Sequence, residues 1–443
     1  MIKNSFCDDR IKEDKTSRLI KILFYLGVIV PLIIFCVGNY ITHGALFNQL
    51  FYKLTEDSGF DFYVFLSGSS VDKSVYTTPD SLVFNPPLIR VFMKFIFRGF
   101  PIEIQEIYRD SSIASFLEMD IRTVACAMLP FLLVFIITVT AIAMLYFYKK
   151  RGKIIEKIAF AFIAITCIGM IFAYERGNLI ILAVFFATFF CMSYKSNNKF
   201  IKELGLISLA FASGIKIYPC FLGILLLKNK DYKAAIRTII YGLIAILLPF
   251  VFFGGFEGIL GFFSSLTGQA NTGIAAGYLN MTSTFSMILR LLGNSPEHIM
   301  IYSKAIKYSV YIICMLGLLL SFESQEEWKS IALIVLTIIS LSGTSHTYML
   351  SFVPIIIYFF LEKNSYCKMD FIYLFLLICM ISILPIKTGK FVEGIRLENE
   401  RFTTLMIIQE LSVLCMYFLL LISCFLDKIK YLHYFHKKNK HIL

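Results

Sequence analysis

The chain has 443 residues, 58% of them hydrophobic and only 16% charged, with a formal net charge of +12. A soluble domain of this length carries about a quarter charged residues, so the composition excludes an ordinary water-soluble enzyme. The basic residues gather in short segments beside apolar runs, as the positive-inside rule produces, and nucleic acid is not an expected partner.

Apolar runs of about 17 to 25 residues recur from end to end, which reads as an all-α polytopic membrane protein. The expected count is about twelve transmembrane or re-entrant segments in a single integral membrane domain, residues 1–443, with both termini cytoplasmic. The eleven cysteines fall almost entirely inside the apolar runs. Their spacing suggests neither a disulfide framework nor a metal site.

In chain order, the N-terminus is basic (Lys3, Arg10, Lys12, Lys15, Arg18, Lys21). The first run, near Leu19 to Tyr40, is too long for a signal-peptide core and is expected to remain as an anchor. Residues 43–121 then form a first external loop. It carries Asp57, Asp61, Asp72 and Asp80, followed by Asn85-Pro86-Pro87. Asp61 alone is set among aromatics, with Phe60 before it and Phe62, Tyr63 and Phe65 after it. Those rings can hold it at the membrane interface. Beyond it, Arg90, Lys94 and Arg98 recur every four residues. That spacing places three cations on one face of a helix expected to lie on anionic lipid.

A second span near 122–148 returns to Lys149-Lys150-Arg151-Gly152-Lys153, a strong inside marker. A third, near 154–174, reaches Glu175-Arg176-Gly177-Asn178, and a fourth comes back to Lys195. Residues 203–227 lie between two basic segments and must go out and back. At 1.5 Å per residue, each arm of roughly 11 residues covers only about half a bilayer. The expected break is Ser213 to Pro219, and broken backbone at membrane depth is tolerated where it lines a cavity. After a span near 235–253 comes a second long external loop, 254–300, which contains Gln269. A span near 301–321 precedes a second short pair, hinged at Gly343 to Tyr348. Two more spans and a basic tail, residues 428–443, complete the chain.

Arg176, Lys216 and His346 each fall at a short turn between membrane arms, where ionisable groups are functional by default. Two cations and an imidazole suit a phosphate, bound through charge-assisted hydrogen bonds. A carboxylate above such a site suits removal of a proton from an alcohol. Taken singly, each residue also has a plainer role. Asp61 serves as a solvated loop acid or helix cap, Arg176 and Lys216 reach to headgroups, His346 is a turn residue, and Asn85-Pro86-Pro87 only stops a helix. Two rival classes share the composition: a lipid-linked sugar transporter with broken helices, and an O-antigen-type polymerase or ligase.

In combination the residues resemble a known family. Asp61-Phe62-Tyr63-Val64-Phe65, Phe84-Asn85-Pro86-Pro87, Arg176-Gly177-Asn178, Lys216-Ile217-Tyr218-Pro219 and Ser345-His346 occur in that order. The set is similar to the bacterial polyprenol-phosphate-mannose-dependent transferases of glycosyltransferase family 87, over about residues 19 to 362. The resemblance implies a GT-C membrane fold and a polyprenyl-phosphate sugar donor. Asp61 would be the catalytic base, with Arg176, Lys216 and His346 around the donor phosphate. Tyr63, Asn85, Asn178, Tyr218 and Gln269 are the expected substrate contacts. The expected reaction is an inverting transfer of a mannose-like hexose to a glycolipid or glycan at the external face of the cell membrane, with no metal or cofactor.

Overall fold

The computed structural model describes residues 10–51, 58–68, 76, 86–109, 124–272, 279–342, 346–384, 396–397, 400–401 and 403–440. These are helical nearly throughout, as the apolar runs predict. The strands among them are β1, Arg396–Leu397, and β2, Glu400–Arg401, an antiparallel pair with Arg396 opposite Arg401.

The helices run α1 (Arg10–Ile41), α2 (Ala45–Leu50), α3 (Phe60–Gly68), α4 (Pro87–Arg98), α5 (Ile102–Arg109), α6 (Ala125–Lys149), α7 (Ile154–Thr166), α8 (Ile168–Arg176), α9 (Ile180–Ser193) and α10 (Lys199–Ile215). A 3-10 turn, Tyr218–Gly223, leads into α11 (Ile224–Lys228). Then come α12 (Tyr232–Leu247), α13 (Gly255–Thr272), α14 (Met281–Leu291), α15 (Pro296–Ile301), α16 (Ser303–Glu323) and α17 (Glu327–Leu341). A second 3-10 turn, Thr347–Phe352, leads into α18 (Val353–Leu361), followed by α19 (Lys368–Ile381) and α20 (Thr404–Lys440).

Among the described residues, five helical stretches are long and apolar enough to cross a membrane: Lys15–Ile41, Ala125–Lys149, Tyr232–Phe252, Ser303–Glu323 and Thr404–Ile429. The bent pair α7 and α8 makes a sixth, turning by 46° between Thr166 and Ile168. The other apolar helices are shorter. Leu26, Ile33 and Val37 of α1, Leu129 and Ile136 of α6, Ile239 and Leu243 of α12, and Ile312 and Leu319 of α16 are all exposed. So much apolar surface on long helices belongs against lipid rather than water.

By contrast, α17 is buried on every side, from Trp328 through Ser340. A helix that is apolar all round is stable only when enclosed. Tyr417 of α20 fastens it: its hydroxyl lies 2.8 Å from Thr337 Oγ1 and packs where Gly317 of α16 has no side chain.

The helix alternation brings distant charges together at one end of the bundle. Lys329 meets Glu326 at 2.7 Å and Asp427 at 2.9 Å, while Lys363 meets Asp370 at 2.7 Å and Glu326 at 3.2 Å. Lys150 pairs with Glu362, Lys202 with Asp231, and Lys195 with Glu327 at 2.7 Å. These residues come from the segments expected to be cytoplasmic. Caps mark several helix starts there: Asn198 Oδ1 accepts from Phe200 N at 2.9 Å, and Asp231 Oδ1 from Ala234 N at 3.2 Å.

The helix carrying Arg90, Lys94 and Arg98 forms as α4, but its cations do not all face outward. Arg90 is buried, with its guanidinium over the Phe65 and Tyr76 rings at 5.6 and 5.8 Å. Lys94 lies 5.8 Å from the Phe253 ring, and only Arg98 is fully exposed. Four-residue spacing fixes a face, and here that face turns toward the protein.

Candidate functional site

The opposite end of the bundle gathers the residues singled out in the sequence. Its pivot is the turn between α8 and α9. Gly177 takes φ +65°, and Asn178 N donates to Ala173 O at 2.8 Å while Gly177 N donates to Tyr174 O at 3.1 Å. This helix ending needs a left-handed residue, which glycine supplies without strain. Gly177 also admits a neighbour, because a Cβ there would sit 2.9 Å from Gly59 O and 3.0 Å from Phe62 Cβ. The entry to α3 therefore lies directly on the turn, fastened by Gly59 N donating to Glu175 O at 2.6 Å.

That contact delivers Asp61, in the first turn of α3, to the two side chains flanking Gly177. Arg176 Nη2 donates to Asp61 Oδ1 at 2.8 Å, and Asn178 Nδ2 donates to Asp61 Oδ2 at 2.6 Å. Asn178 Oδ1 in turn accepts from Ile180 N at 2.9 Å, so α9 fixes the amide orientation. The Arg176 guanidinium lies 5.3 Å from the centre of the Phe60 ring. Asp61 and Arg176 side chains are 17% and 14% exposed, so the pair is sheltered yet reachable. Glu175 points elsewhere, accepting from Ser58 Oγ at 3.0 Å.

Lys216 closes α10, where the chain breaks into the Tyr218–Gly223 turn. Its backbone N–H donates to Ala212 O at 2.9 Å. Gly214 lets α4 and α12 pack tightly on this end, since a Cβ there would meet Leu88 Cδ2 at 2.6 Å and Ala245 Cβ at 3.3 Å. Lys216 is electrostatically coupled to Asp61. The expected break at Ser213 to Pro219 is therefore present, with α10 running through Ile215 before it.

His346 begins the other 3-10 turn and stacks on Phe172 of α8, with ring centroids 5.3 Å apart and planes 20° from parallel. Gly169 makes this approach possible, because a Cβ there would collide with the backbone of Leu350 and Ser351. His346 is coupled electrostatically to Arg176. Next to it, Tyr348 is coupled to Asp61, Arg176 and Tyr218 together. The sequence reading treated Tyr348 only as a hinge residue. Its place between three singled-out side chains depends on the α8 contact, which no local spacing reveals.

The structure thus brings together Asp61, Arg176, Asn178, Lys216, Tyr218 and His346. Tyr63 is buried, its ring stacked on Phe131 of α6 at 5.6 Å. Residues two apart on a helix do not share a face, which separates Tyr63 from Asp61. Gln269 lies in α13, and its side chain is outside the described residues, as are Asn85, Asp57, Asp72, Asp80 and Ser345.

Two cavities flank the segment 218–228. One, of about 330 Å³, is lined by Ser213, Cys220, Gly223, Thr238 and Gly242 and has no charged lining. Gly242 has nothing within 4 Å of where a Cβ would be. A helical glycine without a steric reason keeps that groove open. The other, of about 300 Å³, lies against Tyr218, Asn280, Lys307 and Ser340.

Lipid-facing helices surround this sheltered cluster of one carboxylate and two cations. The chain belongs to glycosyltransferase family 87, whose family model matches residues 112–342, a little over half of its length. It is accordingly a membrane glycosyltransferase. No curated protein and no solved structure matched it in comparison. The family match includes Arg176, Asn178, Lys216 and Tyr218 and ends just before His346.

Proposed function

We propose that the protein transfers a mannose-like hexose from a polyprenyl-phosphate sugar to a lipid-linked or glycan acceptor, with inversion, at the external face of a bacterial cell membrane. The single observation that carries this is Asp61 held between Arg176 and Asn178 with Lys216 coupled to it. Arg176 and Lys216 beside this carboxylate suit a monoanionic phosphodiester, bound through charge-assisted hydrogen bonds.

In this reading Arg176 and Lys216 bind the donor phosphate and stabilise it as it leaves. Arg176 can do so while holding Asp61, because its guanidinium has five N–H donors in a fork. His346 and Tyr348 border the same phosphate. Asp61 accepts the proton of the acceptor hydroxyl as that oxygen attacks the anomeric carbon. The C–O bond to the phosphate breaks, and the polyprenyl phosphate departs with the bonding electrons. One base suffices for inversion. Asn178 keeps the second carboxylate oxygen in place. The uncharged groove beside Cys220 and Gly242 receives the polyprenyl chain.

The same reading sets the topology. About twelve segments cross or re-enter, both termini are cytoplasmic, and residues 43–121 and 254–300 lie outside. The ion-paired end of the bundle is then the cytoplasmic end, with the basic tail 428–443 beyond it.

The test is a donor panel. Purified enzyme in lipid nanodiscs is given radiolabelled polyprenyl-phosphate hexoses or nucleotide-diphosphate hexoses, with total bacterial lipid extract as acceptor. Label should pass to the extract from a polyprenyl-phosphate hexose and not from a nucleotide sugar. Transfer from the nucleotide sugars alone would overturn the reading.

A further inference from the structure

Arg90 takes no part in the proposed reaction, yet its contacts lead to two of the groups that do. It is 6% exposed in α4, with its guanidinium 5.6 Å from the Phe65 ring and 5.8 Å from the Tyr76 ring. It also shares a hydrogen bond with the Tyr76 side chain, in which a guanidinium can only donate.

Phe65 leads to Asp61. The two stand four residues apart in α3, stacked on the same helix face. Arg90 therefore holds α3 about one turn beyond the carboxylate. The near end of α3 is fixed separately, by Gly59 N on Glu175 O and by Asp61 on Arg176. Holding both ends fixes the tilt of α3 and the direction in which Asp61 faces.

Tyr76 leads to Lys216. Its buried ring lies against Phe250, Phe253 and Phe262, with centroids 5.3, 5.8 and 5.9 Å away. Phe250 belongs to the 3-10 turn Leu248–Phe252 at the end of α12, and Phe262 to α13. Ile217 packs against the same cluster, and it is the residue that joins Lys216 to Tyr218. Leu88, two residues before Arg90, meets the same break at Gly214. Thus α4 touches the Lys216 segment both directly and through Tyr76.

A buried guanidinium is costly, and an apolar side chain would fill the space with less penalty. What arginine supplies is direction, a planar fork that stacks on rings while donating at fixed angles.

The geometry points to Arg90 as a positioning residue that sets the spacing between Asp61 and Lys216, with Tyr76 as its clasp. This deepens the proposed function and rests on its assignment of Asp61 to the acceptor proton and Lys216 to the donor phosphate. Transfer needs the acceptor oxygen in line with the anomeric carbon, and a misplacement of about 1 Å can cost about a hundred-fold. Lys216 keeps supports of its own, its N–H on Ala212 O and the packing at Gly214. Loosening Arg90 should therefore slow turnover and spare donor binding.

The test compares Arg90→Lys and Tyr76→Phe with wild type in nanodiscs, using full-length enzyme. Arg90→Lys keeps the charge without the fork. Tyr76→Phe keeps the ring without the hydroxyl, and it decides the matter if Arg90→Lys does not fold. Each should lower kcat per folded molecule about ten- to a hundred-fold, with wild-type affinity for polyprenyl monophosphate. Amide hydrogen exchange should quicken in α3 and around Ile217 together. Arg98→Gln, an exposed change on the same helix, should alter none of these. A lower melting temperature with unchanged kcat per folded molecule would overturn the proposal, because Arg90 would then serve stability alone. Faster exchange confined to α4 would overturn it too, as would a loss of polyprenyl monophosphate affinity as large as the loss of kcat. Asp61→Asn is assayed alongside. If it loses transfer while both variants turn over normally, only this inference fails; if it transfers normally, the functional reading fails as well.

Discussion

The two ends of the bundle handle charge in opposite ways. At the ion-paired end, Lys329 and Lys363 share three carboxylates: Glu326 lies between them, Asp427 pairs with Lys329, and Asp370 with Lys363. At the other end Asp61 pairs with Arg176 at 2.8 Å and lies within electrostatic range of Lys216. Matched charges fasten helices to one another. Arg176 and Lys216 instead sit where helices break, and the proposed function gives them a substrate phosphate to hold.

The sharpest way to break this contrast is Asp61→Asn. The amide is nearly the same shape and can still accept from Arg176 or Asn178, so the fold should persist. Transfer should fall about a hundred-fold or more, as expected for loss of a general base. Steady-state transfer by purified enzyme decides this, and near-normal turnover would leave the site end without a catalytic role.

Next in size is Gly177→Ala. The substitution forces a positive φ on alanine and drives a Cβ against Gly59, so it should destabilise by about 1–3 kcal/mol. It should also displace Asp61 from Arg176. Thermal melting and transfer rate should therefore fall together, and a variant that melts normally with full activity would contradict the packing of α3 on this turn.

The ion-paired end should answer differently. Lys329→Ala removes one partner of Glu326 and the pairing of Asp427, both about half exposed. The cost should be about 1–3 kcal/mol, visible as a lower melting temperature, with unchanged turnover per folded molecule. Smallest of all is Arg151→Ala. Arg151 reaches Glu362 only at 3.8 Å and is itself 86% exposed. Melting should shift by less than about 0.5 kcal/mol, since exposed pairs are worth little.

Much of this contrast was legible beforehand, and the missing parts share a cause. Hydropathy marked the apolar runs, and the order Asp61, Arg176-Gly177-Asn178, Lys216, His346 marked the site. What no local pattern carries is contact across the chain. Asp61 and Arg176 are 115 positions apart, and their meeting depends on Gly59 and Gly177 admitting each other's backbone. Tyr348 joined the site only through packing against α8. Arg90 shows the same limit in reverse: its spacing placed it on a face, and burial against Phe65 and Tyr76 decided which way that face turned. The helix break at Lys216 was readable because Gly214 and Pro219 bound it in the sequence.

Arg176 and Lys216 are proposed to hold a lipid phosphate at the site end. The most direct measurement is the binding of polyprenyl monophosphate to purified enzyme in nanodiscs, by titration, for the wild type and for Lys216→Gln, Arg176→Gln and Lys329→Gln. Each of the two site-end variants should weaken binding about ten- to a hundred-fold, while Lys329→Gln, changed at the ion-paired end, should bind as the wild type does. Equal affinity in all four proteins would contradict the account.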